Sequence, residues 1–163
     1  MRSGIIAVYR RVFGEPPWNE HPRWARSFAD RLPDELDRPG RSLILAMDAD
    51  RVVGFTLARP WDREAYFCHM VEQSLPPEWT EDCFNLMELA LLPEYRGRGL
   101  GGALHDALVD GFDCRTGILS SNELGPPAAA RLYGKRGWRL LLKGWKSRPE
   151  ADPVLVMGRV RPD

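Results

Sequence analysis

The sequence predicts a single mixed α/β domain, and three observations carry that expectation. The chain has 163 residues without a repeat or a dividing linker, a length at which one domain buries most of its unfolded surface. Apolar runs of strand length alternate with segments of helical periodicity in the order ααββ–βαβαββ. A glycine-rich turn joins a nearly continuous apolar strand to a helix past the middle of the chain.

Ile5, Tyr9, Val12 and Phe13 share one face of a first helix, with Ser3 as its expected cap and Gly14 and Pro16 ending it. After the rigid loop EPPW, the stretch PRWARSFADRL resumes helical spacing at Trp24, Phe28 and Arg31. SLILAM and RVVGFTLA are apolar strands joined by Asp48, Ala49 and Asp50, which reads as a β-hairpin. The connector from Arg59 to Asp82 is irregular and proline-bearing, with a short helix expected around Glu64 to Gln73; its four aromatic residues argue against disorder. FNLMELALL, Phe84 to Leu92, reads as a central strand covered on both faces. The glycine turn follows, then a helix with Leu104, Leu108 and Phe112 on its core face. TGILSS is a strand, Pro126 and Pro127 open the helix PAAARLYGKR, and Gly137 closes it in a left-handed cap. WRLLLKGW and PVLVMGRV complete the chain as strands.

Acidic and basic side chains balance at 23 each, so no global field draws the chain to nucleic acid or to an anionic membrane. The distribution is uneven. From Trp61 to Cys83, Asp62, Glu64, Glu72, Glu78, Glu81 and Asp82 face only Arg63, whereas Arg131, Lys135, Arg136, Arg139, Lys143, Lys146 and Arg148 face only Glu150 and Asp152 further on. Either these are two solvated surfaces, or one pole binds a polyanion and the other a cation. Cys68, Cys83 and Cys114 lack the spacing of a disulfide framework or a zinc site and read as packing residues of a reducing compartment; no metal is expected. No signal-peptide pattern and no run of membrane-spanning length is present, so the expected location is cytoplasmic. His21 and His105 read as exposed surface residues.

The turn itself admits two readings. Gly97, Gly99 and Gly102 spell G-x-G-x-x-G, while Arg96, Gly99 and Gly101 spell R-x-x-G-x-G. Both describe a strand, a glycine turn and a helix start, where unpaired N–H groups and the helix dipole receive an anion. The first reading fails on context: a dinucleotide fingerprint belongs at the first strand of a βαβαβ unit, with an acidic residue closing the second strand. A phosphate-binding P-loop is excluded because no Lys-Ser/Thr pair follows the last glycine.

With FGEPPW after the first helix, LALLPEYRGRGLGGAL in the middle and AARLYGKRGWRLL beyond it, nearly the whole chain resembles the GNAT superfamily of CoA-dependent N-acyltransferases. The resemblance implies a mostly antiparallel central sheet flanked by helices, spanning residues 1–163 as one domain. It implies acetyl-CoA as acyl donor, its pyrophosphate held by Arg96, Gly97, Arg98, Gly99, Leu100, Gly101 and Gly102. The preceding strand would pair with the pantetheine arm, with the Leu91 N–H polarising the thioester carbonyl. Tyr133, in the second signature, would protonate the departing thiolate; read from the residues alone it is a core aromatic beside Leu132.

The activity so implied is transfer of an acetyl group to a primary amine, on a small molecule or a peptide, by direct attack in a ternary complex. Glu88, a carboxyl among apolar neighbours, would serve as base, or else pair with an arginine in the strand; Glu20 is the alternative. Trp18, Glu20 and Trp61 are candidate acceptor contacts, with Trp24 and Trp79 as further walls, unless these rings pack the core. The acidic connector favours a cationic acceptor, and Arg98, Arg131 and Lys135 are candidates for the CoA phosphates. Two features depart from the family: only four residues stand before Ile5 where its first strand is expected, so that strand is either absent or trimmed away, and Pro126 stands where an asparagine usually opens the tyrosine-bearing helix. Asn122 would then supply the pantetheine contact, and the exposed sheet edge would be covered by a second subunit in a homodimer. The competing function is a CoA-binding sensor or scaffold of the same fold without turnover.

Overall fold

The alternation of apolar runs becomes six strands and five α-helices among residues 1–123 and 125–162, which the computed structural model describes. In chain order these are α1 (Arg2–Gly14), α2 (Pro22–Asp37), β1 (Ser42–Asp48), β2 (Arg51–Pro60), α3 (Tyr66–Glu72), β3 (Cys83–Leu91), α4 (Leu100–Asp110), β4 (Thr116–Asn122), α5 (Pro127–Gly134), β5 (Arg139–Trp145) and β6 (Val154–Val160). The strands follow the order β1-β2-β3-β4-β6-β5. Pairing is antiparallel for β1 with β2, β4 with β6 and β5 with β6, and parallel for β3 with β4, from Cys83–Thr116 to Leu86–Leu119. The expected mixed, mostly antiparallel sheet flanked by helices is therefore the fold. Its first element is a helix, and no strand precedes α1 among the described residues.

Contacts divide the chain into two compact units. The first, Met1–Ala58 with Glu88–Gly111, builds its core from Ile5, Val8 and Val12 of α1, Phe28, Leu32 and Leu36 of α2, and Val53 and Phe55 of β2. Each such side chain contributes about 1.5–3 kcal/mol when fully removed from water. Tyr9 stacks on Phe28 with centroids 4.1 Å apart, and Phe28 on Phe55 at 5.8 Å. Gly54 lets β2 approach the end of β3: a Cβ there would sit 2.8 Å from Leu91 Cδ1 and 2.9 Å from the Ala90 carbonyl oxygen. The second unit, Arg59–Met87 with Phe112–Asp163, packs Val71, Trp79, Cys83, Ile118 and Val156, with Trp61, Phe67 and Trp145 in successive edge-to-face contacts around them.

Four expectations change. Ser3 is not a cap, because the helix already begins at Arg2 and Met1 holds the cap position without a side-chain hydrogen bond. The second helix runs beyond PRWARSFADRL, through Pro33 to Asp37, because Leu32, Glu35 and Leu36 keep its buried face continuous. His105 is buried, at 1% exposure, with Nδ1 2.8 Å from Asp106 Oδ1; α4 turns Leu104, His105, Leu108 and Val109 inward together. Trp79 packs in the core rather than standing as a wall, and Trp24 stands exposed beneath the Arg23 guanidinium.

Candidate functional site

The glycine turn takes the shape its composition demands. Gly97 and Gly99 adopt φ of 74° and 79°, the left-handed region that a β-carbon disfavours. A Cβ built at either meets nothing within 4 Å, so backbone conformation rather than crowding requires glycine. Gly99 is the N-cap of α4 and no side chain caps this helix start; the Gly99 carbonyl accepts from the Ala103 N–H at 3.0 Å. The N–H groups of the first turn, Leu100 to Gly102, thus precede the first intrahelical donor, Ala103. No side chain caps these N–H groups, and the space beside Gly97 and Gly99 is open, which suits the main-chain binding of a pyrophosphate.

Several side chains hold the turn. Arg96 Nε donates to the Leu91 carbonyl at 3.0 Å, and its guanidinium lies 5.8 Å from the Trp18 ring, itself edge-on to Phe13. Arg98 donates to the Glu94 carbonyl at 3.1 Å and covers Tyr95. The Tyr95 hydroxyl donates to Asp48 Oδ2 at 2.5 Å, and Arg51 faces Glu94 at 3.6 Å, so the hairpin turn braces the loop.

Strand alternation orients Leu91. The Leu92 N–H donates to the Val53 carbonyl of β2 at 2.9 Å. Successive residues of a strand present their amides to opposite sides, so the Leu91 N–H points away from β2.

A second cluster in the same unit surrounds Glu88. Its main-chain carbonyl accepts from Thr56 Oγ1 at 2.8 Å, which fixes this part of β3 on β2. Its side chain is half-buried. Burial first, then the charge of Glu20, with Arg31 opposing, lifts its carboxyl from the ordinary 4.5 to about 8. Tyr9 Oη donates to Glu20 Oε2 at 3.2 Å, and burial, with Glu88 and Glu20 behind it, pushes the phenol upward so that it stays a donor. Burial raises Glu20 as well, against the pull of the Tyr9 hydrogen bond. Of the three influences on the Glu88 carboxyl, Arg31 is the weakest.

Glu88, Glu20, Trp18, Leu91 and the turn from Arg96 to Gly102 all belong to the first unit. Tyr133, Asn122 and Trp61 belong to the second. There Tyr133 is buried and edge-on to Trp138 at 6.0 Å, and Asn122 is exposed at the end of β4, opposite Val154. Trp61 packs against Phe67 and donates from Nε1 to Glu72 at 3.2 Å. Tyr9 and Arg31 read in the sequence only as helix-face residues. A signal was available for Tyr9, because a tyrosine on a buried face needs a partner for its hydroxyl. Among the described residues, no group of His, Cys, Asp or Glu is arranged to hold a metal ion, and no helix is long and apolar enough to cross a membrane.

A mixed α/β domain with an open helix start and a proton-holding carboxyl is the class this geometry defines. Comparison with known proteins makes it particular: residues 5–138 match the acetyltransferase (GNAT) family, and the chain belongs to that family. It is 35% identical over 81 residues to the GCN5-like protein acetyltransferase Rv2170 of Mycobacterium tuberculosis, a match covering 48% of this chain and 39% of that protein. Among solved structures, a GNAT-family acetyltransferase from Staphylococcus aureus MU50 superposes with a TM-score of 0.71 at 15% identity, over 98% of this chain and 92% of the other. The PaiA N-acetyltransferase from Thermoplasma acidophilum, solved in complex with coenzyme A, gives 0.65 at 14% identity over 98% and 92%. At these identities the two structures speak for the fold.

Proposed function

We propose that the chain is an N-acetyltransferase that moves an acetyl group from acetyl-CoA to a primary amine by direct attack in a ternary complex. The observation that carries this reading is the open start of α4, with left-handed glycines before it and no capping side chain. Arg96 to Gly102 would hold the pyrophosphate through main-chain N–H groups, and Asn122, Arg131 and Lys135 are further contacts. Acetyl-CoA supplies an acyl carbon already activated as a thioester. Glu88 accepts a proton from the attacking amine, the Leu91 N–H donates to the oxygen on which charge develops, and the Tyr133 hydroxyl returns a proton to the departing sulfur. Trp18 and Glu20 line the acceptor side, and Trp61 is a further acceptor contact. The acceptor is a small-molecule amine or a peptide amine; the protein acetyltransferase named among the relatives keeps the peptide within the choice.

Thiol release from acetyl-CoA across a panel of small amines and lysine-bearing peptides tests the proposal. Acceptor-dependent release is expected. Heat stabilisation by CoA with no release on any amine would instead identify a binding module.

A further inference from the structure

β3 ends in a peptide plane that is held from both sides. The Leu92 N–H donates to the Val53 carbonyl at 2.9 Å, and the Leu91 carbonyl of the same plane accepts from Arg96 Nε at 3.0 Å. The N–H and C=O of one strand residue point to the same side, so Arg96 sits on the side that the Leu91 N–H faces. Among the described residues the ladder of β3 with β4 ends at Leu86–Leu119, before Leu91 is reached. The stretch LLPEYR explains how a side chain arrives there. Pro93 to Tyr95 form one 3₁₀ turn that folds Arg96 back over the strand end. The Tyr95 N–H closes it on the Leu92 carbonyl at 3.0 Å, and the Arg96 N–H on the Pro93 carbonyl at 3.1 Å. The main-chain N–H of Arg96 and its Nε are thus both engaged inside the protein, and neither is left for a diphosphate. Trp18 lies over the guanidinium, 5.8 Å away. Trp18 is itself fixed, edge-on to Phe13 at 5.4 Å, in a loop closed by the Glu20 N–H on the Phe13 carbonyl at 2.8 Å. Burial works against the charge of the guanidinium, and Glu94 and Glu15 work for it.

We propose that Arg96 is a positioning residue for the transfer step: its side chain holds the Leu91 carbonyl so that the Leu91 N–H keeps one direction, and Trp18 keeps the guanidinium in place. The role rests on the proposed function of the Leu91 N–H as donor to the oxygen on which charge develops. A donor of that kind works by being aimed in advance at the position the oxyanion will take. Leu91 stands at the end of its strand, where a main chain held on one side alone is free to tilt about that bond. The Arg96 bond supplies the second point of attachment, on the carbonyl that shares the open side with the N–H. A guanidinium turned toward the coenzyme would act through its charge; one held on a main-chain carbonyl acts through geometry. Trp18, a candidate acceptor contact in the sequence, then has a second task as the plane on which the guanidinium rests.

Arg96→Gln and Arg96→Met separate geometry from charge. Glutamine carries an amide nitrogen as many bonds from Cα as Nε, so it keeps a donor for Leu91 and loses the charge; methionine keeps the stem and has no donor. Arg96→Met is expected to lower kcat about tenfold, with CoA affinity by calorimetry changed less than about threefold. Arg96→Gln is expected to retain most of the wild-type kcat. An unchanged kcat in Arg96→Met would overturn the proposal, as would an equal loss of CoA affinity in both variants, the mark of a charge acting on the diphosphate. Trp18→Leu should lower kcat by about two- to fivefold in the wild-type background and no further in Arg96→Met; equal losses in both backgrounds would remove Trp18 from this role. In ligand-free protein the carbonyl-carbon NMR signal of Leu91 should move in Arg96→Met and stay near its wild-type place in Arg96→Gln, and a signal unmoved in Arg96→Met would refute the anchor. This last readout uses neither acetyl-CoA nor an amine, so it stands apart from a failure of the transferase reading, which would appear as wild-type protein that releases no thiol.

Discussion

Glu88 and Glu72 are both partly buried carboxylates, one in each unit, and they sit in opposite kinds of company. Glu72 accepts from Trp61 Nε1 at 3.2 Å and has Arg63 at 3.9 Å. Its neighbours along the connector are similarly engaged: Asp62 faces Arg59, and Asp82 accepts from the Arg115 N–H at 3.0 Å. For Glu88, burial comes first, and the charge of a second carboxylate, Glu20, outweighs that of Arg31. The contrast separates charge that holds a fold together from charge left available for chemistry. It also revises the reading of the acidic connector. Its density of carboxylates looked like a cation site in the sequence, yet several of them already have donors at hand.

The largest expected effect tests the unbalanced side. Glu88→Gln should lower kcat/KM on an acceptor amine by about a hundredfold or more, the usual scale of a lost general base. In wild type kcat/KM should rise with pH through about 8, as Glu88 loses its proton, and this limb should vanish in the variant. Stability carries the opposite sign. Because the folded state holds the Glu88 proton up to about 8 against an ordinary 4.5, Glu88 costs the fold nothing below 4.5 and progressively more as pH rises through that window. Glu88→Gln should therefore gain Tm relative to wild type as pH rises from about 5 to about 8, within the interval between the two ionisations.

Tyr133→Phe comes next, with turnover reduced about tenfold or more and CoA affinity hardly moved; unchanged turnover would remove Tyr133 from the chemistry. Gly99→Val places a β-branched side chain at a φ of 79° in otherwise open space. The strain of about 1–2 kcal/mol should appear as roughly tenfold weaker CoA binding by calorimetry, and Gly99→Asn, which tolerates this region better, should lose less. Smallest of all is Glu72→Gln. It keeps an acceptor for Trp61 and gives up only a long pair with the exposed Arg63, so stability should fall by a few tenths of a kcal/mol with turnover intact. A marked rise in the acceptor KM instead would place the connector's carboxylates in the acceptor site alongside Trp61.

What could be read in the sequence was whatever is local. The hairpin turn at Asp48–Asp50, the left-handed glycines before α4 and the left-handed Gly137, with φ of 78° in the turn that follows α5, follow from residue type and spacing. Misreadings arose where tertiary packing overrides local preference. His105 lies one position from Leu104 on a helix whose buried face is wider than its apolar stripe, and Pro33 sits in a helix that continues because Leu36 is buried beyond it. The Tyr9–Glu20 bond joins residues eleven apart in the chain across a turn, and no periodicity announces such a pair. Glu88 was legible as a carboxyl out of place, but the neighbour that raises it was not.

The most direct measurement follows the backbone amides by NMR as coenzyme A is added. The account predicts that the largest shifts fall on Gly97 to Gly102, where main-chain donors meet the pyrophosphate. Saturable binding that leaves those amides unmoved, with the changes elsewhere, would contradict it.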